Sequence, residues 1–316
     1  MSNKTIANFF GFVISFALVG TFFSGCSSVS TSPAKPASGS SYDPPAKVGT
    51  IKSPDITESS GIAASKCQDN VFWTHNDSGD DAFIFAINAA GDDLGTWKMP
   101  NVKNIDWEDI ADVKDRGGKC MIYIGEIGDN KQKRSEHAVY RVSEPKISGS
   151  NRKSNRKDPF LTDNAEILRF TYPDSIQNAE TLMVHPKTGD IYVVSKRFNG
   201  PAGIYRLKPD FRQVNAVVAE KIGDIAVPSI PNGLLTAGDI SPDGKRVILL
   251  DYTAAYELTL PVDTAGFDAI WKQKPETIGF GNLQQAEGVC YSADGMSIFV
   301  TSEGTNSPVM QVKRRK

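Results

Sequence analysis

Short apolar segments, each broken by a turn, recur along the chain and predict β-strands. A polar or acidic residue begins each recurrence, an apolar run follows, a turn intervenes, and a second apolar run ends in polar residues. The pattern is clearest in residues 180–197, 236–252 and 287–303, whose turns read HPKTG, SPDG and SADG. Residues 60–77 and 108–126 repeat it with less regular turns. Such turns between apolar runs are typical of β-hairpins, and no helix-length amphipathic segment is evident beyond the N-terminus.

Further apolar segments extend each pair into a larger unit. A third strand is predicted in every unit, near residues 84–87, 138–142, 203–207, 255–258 and 309–312. A fourth strand is predicted in four units, near residues 94–99, 167–172, 217–222 and 277–280. The fifth unit has no fourth segment of its own.

Four-stranded units that repeat about every fifty residues are typical of a β-propeller. Residues 47–52 precede the first unit without a partner, so they can complete the fifth sheet and close the ring. We therefore predict an all-β, five-bladed β-propeller that is closed by an N-terminal strand. A six-bladed propeller is the alternative, because the interval between the second and third units is long. The polar, basic stretch in that interval, residues 148–157, is interpreted as a surface loop.

The N-terminus has the layout of a secretory signal. Lys4 precedes an apolar core at residues 9–23 that is short for a membrane span, and the segment ends in FSGC. Small residues before Cys26 resemble the lipobox of bacterial lipoproteins, which implies a lipid on Cys26. Ser27 in place of Asp resembles sorting to the outer membrane. An uncleaved anchor and an ordinary secretory signal are the alternatives.

These features divide the chain into a signal peptide (residues 1–25), a tether (26–46) and a propeller domain (47–316). The tether is rich in Ser, Pro, Ala and Gly, a composition that buries too little apolar surface to fold. The net charge of −2 gives no reason to expect a nucleic-acid partner. We expect a lipid-anchored protein of the outer membrane, in the periplasm or at the cell surface. Its expected partners are that membrane and a small phosphate-containing or envelope ligand.

The cysteines fit an oxidising compartment. Cys67 and Cys120 lie just before the second strands of adjacent units, at matching positions on one face. A disulfide between them is therefore predicted, with two free thiols as the alternative. Cys290 lies in an apolar run and is interpreted as a small buried hydrophobe.

One oxygen-bearing residue begins each unit. Because neighbouring strands of a blade are antiparallel, the loop that enters the first strand lies on the same face as the loop that leaves the second. First strands line the channel of a propeller, so we expect these five side chains to converge on the axis. They form the predicted metal ring: Ser60, Glu108, Glu180, Thr236 and Glu287, at intervals of 48, 72, 56 and 51 residues.

A divalent cation suits such a ring. Crowded carboxylates repel and raise one another's pKa, and a cation removes that repulsion. Calcium accepts hard oxygen ligands in flexible geometry, whereas the three histidines lie in separate segments and form no zinc motif. We therefore predict Ca²⁺ as the cofactor. The alternative is that the ring residues hydrogen-bond to backbone groups at the strand starts.

The segments that leave the second strands supply candidate catalytic groups on the same face. Lys196 and Arg197 form the adjacent basic pair, which can stabilise negative charge on a phosphate, and Asp77 or Asp129 can position a water as base. Two alternatives stand beside this hypothesis. The run at residues 76–80 also suits an ordinary tight turn, and the basic pair suits a salt bridge to a ring acid.

The order Ser, Glu, Glu, Thr, Glu at these intervals resembles the central calcium ring of the five-bladed calcium-activated nucleotidases, or apyrases. The phrase Asp106-Trp107-Glu108 and the Lys196-Arg197 pair are also similar. The resemblance implies one calcium in the ring and basic residues that hold nucleotide phosphates. Thr236 and the sequence EIGDN at residues 126–130 depart from that family. The runs at 74–80 and 125–130 resemble more a group of secreted bacterial propeller proteins of unsettled function.

Three functional hypotheses follow. The first is a calcium-binding envelope propeller that hydrolyses nucleotides or other phosphate esters. The second is a non-catalytic propeller that binds a protein or glycan ligand in the cell envelope. The third is a glycoside-acting enzyme that uses two ring acids as acid and base, although a ring occupied by calcium leaves little room for a sugar.

Overall fold

The computed structural model describes residues 40–148 and 154–315. The predicted signal peptide and the lipidation site Cys26 lie outside these residues. In the described part, twenty-two strands form five sheets. No helix in the described part is long and apolar enough to cross a membrane. Within residues 40–148 and 154–315, one 3₁₀ segment, Phe267–Lys272, interrupts the strands.

Every sheet is antiparallel over its main strands, which run outward from the axis in chain order. The first strand of the chain, β1 (Ala46–Thr50), belongs to the last blade. The first blade holds β2 (Ser59–Ala64), β3 (Phe72–Asn76), β4 (Phe83–Ile87) and β5 (Asp93–Lys98). The second holds β6 (Trp107–Lys114), β7 (Cys120–Glu126) and β8 (His137–Ser143), followed after β9 (Phe160–Leu161) by β10 (Glu166–Thr171).

The remaining blades repeat this arrangement. The third holds β11 (Ala179–Val184), β12 (Ile191–Ser195) and β13 (Ala202–Leu207), followed after β14 (Val217–Val218) by β15 (Glu220–Ile225). The fourth holds β16 (Ala237–Ile240), β17 (Arg246–Leu250), β18 (Ala255–Thr259) and β19 (Glu276–Ile278). The fifth holds β20 (Ala286–Tyr291), β21 (Ser297–Ser302), β22 (Pro308–Lys313) and β1.

The five blades close into a ring, which confirms the predicted five-bladed propeller. The innermost strands β2, β6, β11, β16 and β20 contact one another in that order, and β20 contacts β2. β1 pairs with β22 in an antiparallel register from Ala46↔Gln311 to Thr50↔Pro308. The predicted N-terminal closing strand is therefore confirmed as the outer strand of the fifth blade.

The hydrophobic core is divided among the blade interfaces. Five clusters of buried side chains each join two neighbouring blades. Trp73 and Trp107, both fully buried, belong to the cluster between the first and second blades. Because every second residue of a strand faces one neighbour and the others face the opposite neighbour, inner strands are apolar on both sides. This explains the continuous apolar runs in the sequence.

Two outer strands differ from the sequence prediction. The fourth strand of the third blade was predicted at residues 217–222. Instead Val217–Val218 pairs in parallel with β10 of the second blade, and Glu220–Ile225 completes the third blade. The described residues form five sheets, so no sixth blade is found among them after the second unit. In its described part, Phe160–Leu161 pairs in parallel with β5 and widens the first blade.

Two covalent and polar links join distant parts of the domain. The predicted disulfide between Cys67 and Cys120 is confirmed and links the first and second blades. Cys290 is a free, buried thiol, as predicted. Tyr42, within the predicted tether, packs into the fifth-blade interface, where its hydroxyl donates to Glu257 at 2.5 Å. The domain therefore includes residues that precede the predicted boundary at 47.

Candidate functional site

Four of the five ring residues occupy the same structural position, a β-bulge between the first and second strands of a blade. In the first blade, for example, Ser59 pairs with Asn76 and Gly61 with His75, so that Ser60 is left unpaired. The bulged residues are Ser60, Glu108, Glu180 and Glu287. A bulge inserts one extra residue and re-aims its side chain, a device that is common beside active sites.

The fifth ring position is similar, although the register between β16 and β17 is regular. Thr236 lies just before β16, and its N–H donates to the carbonyl of Leu250 at 2.9 Å. The next residue, Ala237, pairs with the same Leu250. Two residues of the inner strand thus face one residue of its partner, as in the other blades.

Three carboxylates gather at the channel mouth and are called the acid cluster below: Asp77, Asp106 and Glu108. One oxygen of each lies within 4.8 Å of the other two. Asp77 follows β3 of the first blade, whereas the other two lie at the start of β6 in the second. A group of hard oxygens at this spacing suits a divalent cation.

Burial and mutual repulsion act on the acid cluster. Burial, followed by the charges of Asp77 and Glu126, raises the pKa of Asp106 to about 6. Burial raises the pKa of Glu108 well above its ordinary value, and the nearby Glu180 adds to the effect. Burial also raises the pKa of Asp77. A cation would relieve both costs, so the residues present fit a metal site.

Gly128 leaves the space that this cluster needs. A Cβ at residue 128 would lie 2.1 Å from Oε1 of Glu108 and 2.5 Å from Cγ of Asp106. No side chain other than hydrogen fits at that distance. The backbone N–H of Gly128 also donates to the carbonyl of Asp106 at 3.1 Å.

The other two ring glutamates are joined through Lys196. Its ammonium forms an ion pair with Glu180 and donates to the hydroxyl of Tyr252 at 2.7 Å. That hydroxyl donates in turn to Oε1 of Glu287 at 3.2 Å. Burial, followed by Glu303, raises the pKa of Glu287 to about 9, whereas Glu180 raises the pKa of Lys196 against the effect of burial. Lys196 therefore supplies positive charge inside the ring.

The two ring hydroxyls point to main-chain carbonyls of the next blade. Ser60 Oγ donates to the carbonyl of Glu108 at 3.1 Å, and Thr236 Oγ1 donates to that of Ala286 at 2.9 Å. Hydrogen bonds to backbone groups were the alternative to metal ligation for the ring residues. Calcium ligation by Ser60 and Thr236 stays a prediction.

A cleft of about 420 Å³ opens beside the ring, between the second and third blades. Its lining includes Arg197, whose guanidinium donates to Oε1 of Gln177 at 2.8 Å. Among the described residues, Arg197 has no carboxylate partner. It therefore presents a positive charge to the cleft, in contrast to its neighbour Lys196.

Asp129 lies at the edge of this cleft. Its N–H donates to Oδ1 of Asn178 at 2.6 Å, and its Oδ2 accepts from the N–H of Arg134 at 2.6 Å. The next residue, Asn130, lines the cleft. The two predicted catalytic aspartates therefore lie in different places: Asp77 belongs to the acid cluster, whereas Asp129 borders the cleft.

Sequence reasoning missed several residues of this site. Asp106 was given no role at the site from the sequence, yet it completes the acid cluster. Asn178 donates to Oε1 of Glu180 at 3.4 Å. Asp106 and Asn178 both lie two residues before a ring glutamate, and this shared offset was the available signal. Tyr252 and Gly128 carried no comparable signal.

Below the ring, two aspartates of the inner strands accept backbone hydrogen bonds from other blades. Asp109 accepts from the N–H groups of Leu182 at 2.9 Å and Gly238 at 3.3 Å, on the third and fourth blades. Asp239 accepts from the N–H of Tyr291 at 2.9 Å, on the fifth blade. These carboxyls connect inner strands of different blades and support the ring from beneath.

Comparison with known proteins identifies no family. No protein-family model matches the sequence, and no curated protein matches it. Among solved structures, a gluconolactonase from Xanthomonas campestris is 14% identical, with a TM-score of 0.46, over 90% of this chain and 99% of that chain. A chain of a nidogen/laminin complex is 14% identical, with a TM-score of 0.45, over 79% of this chain and 73% of that chain. Likenesses this remote transfer neither ligand nor activity.

Proposed function

We propose that this protein is a calcium-dependent hydrolase of phosphate esters or anhydrides, nucleotides among them. The proposal depends on one arrangement. The acid cluster brings one oxygen from each of its carboxylates within 4.8 Å of the others. On the same face, Arg197 has no acidic partner among the described residues. A cation site on the same face as a guanidinium without an acidic partner suits an anionic ligand that contacts both.

The cation would be held by Asp77, Asp106 and Glu108. Their oxygens favour calcium, and no histidine belongs to the cluster. Bound there, calcium would neutralise and orient the phosphate oxygens. Lys196 holds Glu180 and, through Tyr252, Glu287, and so fixes the opposite side of the ring.

The remaining groups would act on the substrate and on water. Arg197, held by Gln177, would bind phosphate oxygens and stabilise charge that develops during hydrolysis. Asp129 keeps one carboxylate oxygen on the N–H of Arg134, which leaves Oδ1 to accept a proton from the attacking water. The anchor proposed at Cys26 would hold the protein in the cell envelope.

The test is phosphate release from the full-length protein with a panel of nucleotides, sugar phosphates and p-nitrophenyl phosphate, in calcium or in chelator. We expect turnover only with calcium. Asp106→Asn should lower kcat about a hundredfold, and Arg197→Gln should lower kcat/KM by a similar factor. Glu166→Gln, which removes an exposed acid paired with Arg141 on an outer strand, is the matched control. Turnover that survives chelation or Asp106→Asn would contradict the proposal.

A second candidate is a non-catalytic envelope receptor. The ion pair between Lys196 and Glu180 favours it, because it already neutralises part of the ring without a metal. In that case calcium would raise the melting temperature by mass action, but no phosphate ester in the panel would turn over. A calcium-dependent Tm shift combined with absent turnover selects this candidate over the first.

A further inference from the structure

A second cavity, of about 320 Å³, lies on the face opposite the ring and is called the lower cavity here. The ring residues lie at the starts of the inner strands, whereas this cavity lies where those strands end: β6 ends at Lys114, β11 at Val184 and β16 at Ile240. Every blade contributes to it. The first supplies Lys66 and the fifth supplies Ala293.

A buried carboxyl oxygen without a partner lies in its lining. Asp112 is 3% exposed, and its Oδ1 accepts from the backbone N–H of Lys66 at 2.9 Å. Its Oδ2 is buried and has no hydrogen-bond partner among the described residues. Burial, followed by the charge of Glu144, raises the pKa of this group to about 8, so it carries a proton at neutral pH. A protonated carboxyl donates a hydrogen bond, and a buried donor without an acceptor is costly.

The charges around the lower cavity favour an anion. Lys66, Lys114 and Lys187 line it, and none of them forms an ion pair within the described part of the chain. The ammonium of Lys66 donates to two main-chain carbonyls instead. The other acid of the lining, Asp115, accepts from the N–H of Lys119 within its own turn. The net charge of the lining is therefore positive.

The walls between these polar groups are apolar. Val113, Val184 and Ile240 are buried side chains of three different blades, and two prolines, Pro186 and Pro242, stand beside them. The volume is at the lower end of the range of small-molecule sites, roughly 300–1,000 Å³. A small ligand with one anionic end and a hydrocarbon body matches both parts of this lining.

We propose that the lower cavity binds a small amphipathic monocarboxylate. Its carboxylate accepts a hydrogen bond from Asp112 and faces the lysines, while its hydrocarbon part packs against the valine and isoleucine walls. The site is separate from the acid cluster, because it lies where the inner strands end, whereas the acid cluster lies where the inner strand of the second blade begins. The ligand proposal for the lower cavity and the hydrolase proposal can therefore be tested, and can fail, independently.

The first test uses hexanoate as the probe on the full-length protein at pH 7, by ligand-observed NMR and by the shift in Tm. Hexanol has the chain without the charge, and acetate has the charge without the chain. We expect both to bind at least about tenfold more weakly than hexanoate, because each satisfies only one part of the lining. Absence of hexanoate binding, or equal binding of the three probes, would overturn the proposal.

The second test places the ligand. Lys114→Gln combined with Lys187→Gln should weaken hexanoate binding roughly tenfold, since two charges that face the carboxylate are lost. Lys245→Gln, an exposed lysine on the same face but outside the lining, should leave affinity unchanged. Unchanged affinity in the double variant would mean that hexanoate binds elsewhere, and the proposal would fail.

Variants of Asp112 test the buried donor itself. Asp112→Asn keeps a donor at this position, so affinity should stay within about threefold, whereas Asp112→Ala should lower it roughly tenfold. Circular dichroism checks the fold of each variant. If Asp112→Ala does not fold, the double variant of Lys114 and Lys187 alone tests the proposal.

Discussion

Gly128 shows how a single absent side chain shapes the acid cluster. The cluster brings Asp106 and Glu108 to the channel mouth, and the backbone of residue 128 passes directly against them. Since a Cβ there would overlap Oε1 of Glu108 at 2.1 Å, the carboxylates could keep their positions only if the backbone moved. The glycine is required for space rather than for an unusual φ angle.

We predict that Gly128→Ala weakens calcium binding about tenfold, because displaced carboxylates no longer offer their oxygens to one ion. Isothermal titration calorimetry of the full-length protein measures the affinity. Gly279→Ala is the control, since a Cβ at residue 279 meets no atom within 4 Å. Equal calcium affinities in the two variants would show that the cluster does not hold the ion.

Asp112 gives a prediction about pH. Its pKa is about 8 in the folded protein against an ordinary value of 3.8, so the folded state holds a proton that the unfolded state has released between these values. The stabilisation from this proton is complete below about pH 4 and is lost as the pH rises through about 8. In Asp112→Asn the side-chain amide does not titrate, so this variant does not lose stability in this way as the pH rises.

We therefore expect the Tm of Asp112→Asn to rise relative to the parent protein between pH 5 and pH 9. Differential scanning calorimetry in chelator measures both proteins, so that metal binding at the acid cluster does not contribute. Parallel curves of Tm against pH would mean that Asp112 is not protonated in the folded state.

At the level of strands, the β-bulge explains why the equivalence of four ring positions could be predicted from sequence. Each bulge inserts one residue between two ladder pairs, so its position relative to the second strand is the same in every blade that has one. The repeat register therefore identified Glu108, Glu180 and Glu287 as equivalent. The register does not determine side-chain rotamers, so the structure was needed to show the ion pair of Lys196 and the bond from Ser60 to the carbonyl of Glu108.

The outer strands were harder to predict than the inner ones, for a physical reason. Inner strands are buried on both sides and produce long apolar runs. Phe160–Leu161 and Val217–Val218 lie at sheet edges, where Leu161 and Val218 are exposed and only two residues pair. A two-residue edge strand leaves no periodic pattern, so its partner blade is decided by where the preceding loop returns.

The disulfide is a further element-level feature with a measurable effect. Cys67 and Cys120 join the loop after β2 to the start of β7, which ties the first blade to the second. We predict that replacing both with serine lowers the free energy of unfolding by about 2–4 kcal/mol. Urea denaturation measures this, and reductant should change the parent protein but not the double variant. Equal stability of parent and variant would mean that the bridge contributes nothing to the fold.

The whole ring depends on how β1 closes it. β1 pairs with β22 on one side and meets the turn after β4 of the first blade on the other. The N–H of Thr50 donates to the carbonyl of Ala90 at 3.3 Å, and that of Lys52 donates to the carbonyl of Gly91 at 2.9 Å. The closing strand therefore holds the fifth blade to the first, so a change at this contact affects the complete propeller.

Gly49 lies at the centre of this contact, where a Cβ would lie 2.4 Å from the carbonyl oxygen of Ala89. Because only backbone atoms are in the way, they cannot move aside as a flexible side chain would. We predict that Gly49→Ala costs about 1–3 kcal/mol and lowers Tm by roughly 2–10 °C. Gly223→Ala is a matched control, a strand glycine at which a Cβ meets no atom within 4 Å. If β1 closes the ring, Gly49→Ala but not Gly223→Ala should also speed proteolysis near residue 46. Equal Tm values and cleavage rates in the two variants would show that closure does not limit the stability of the domain.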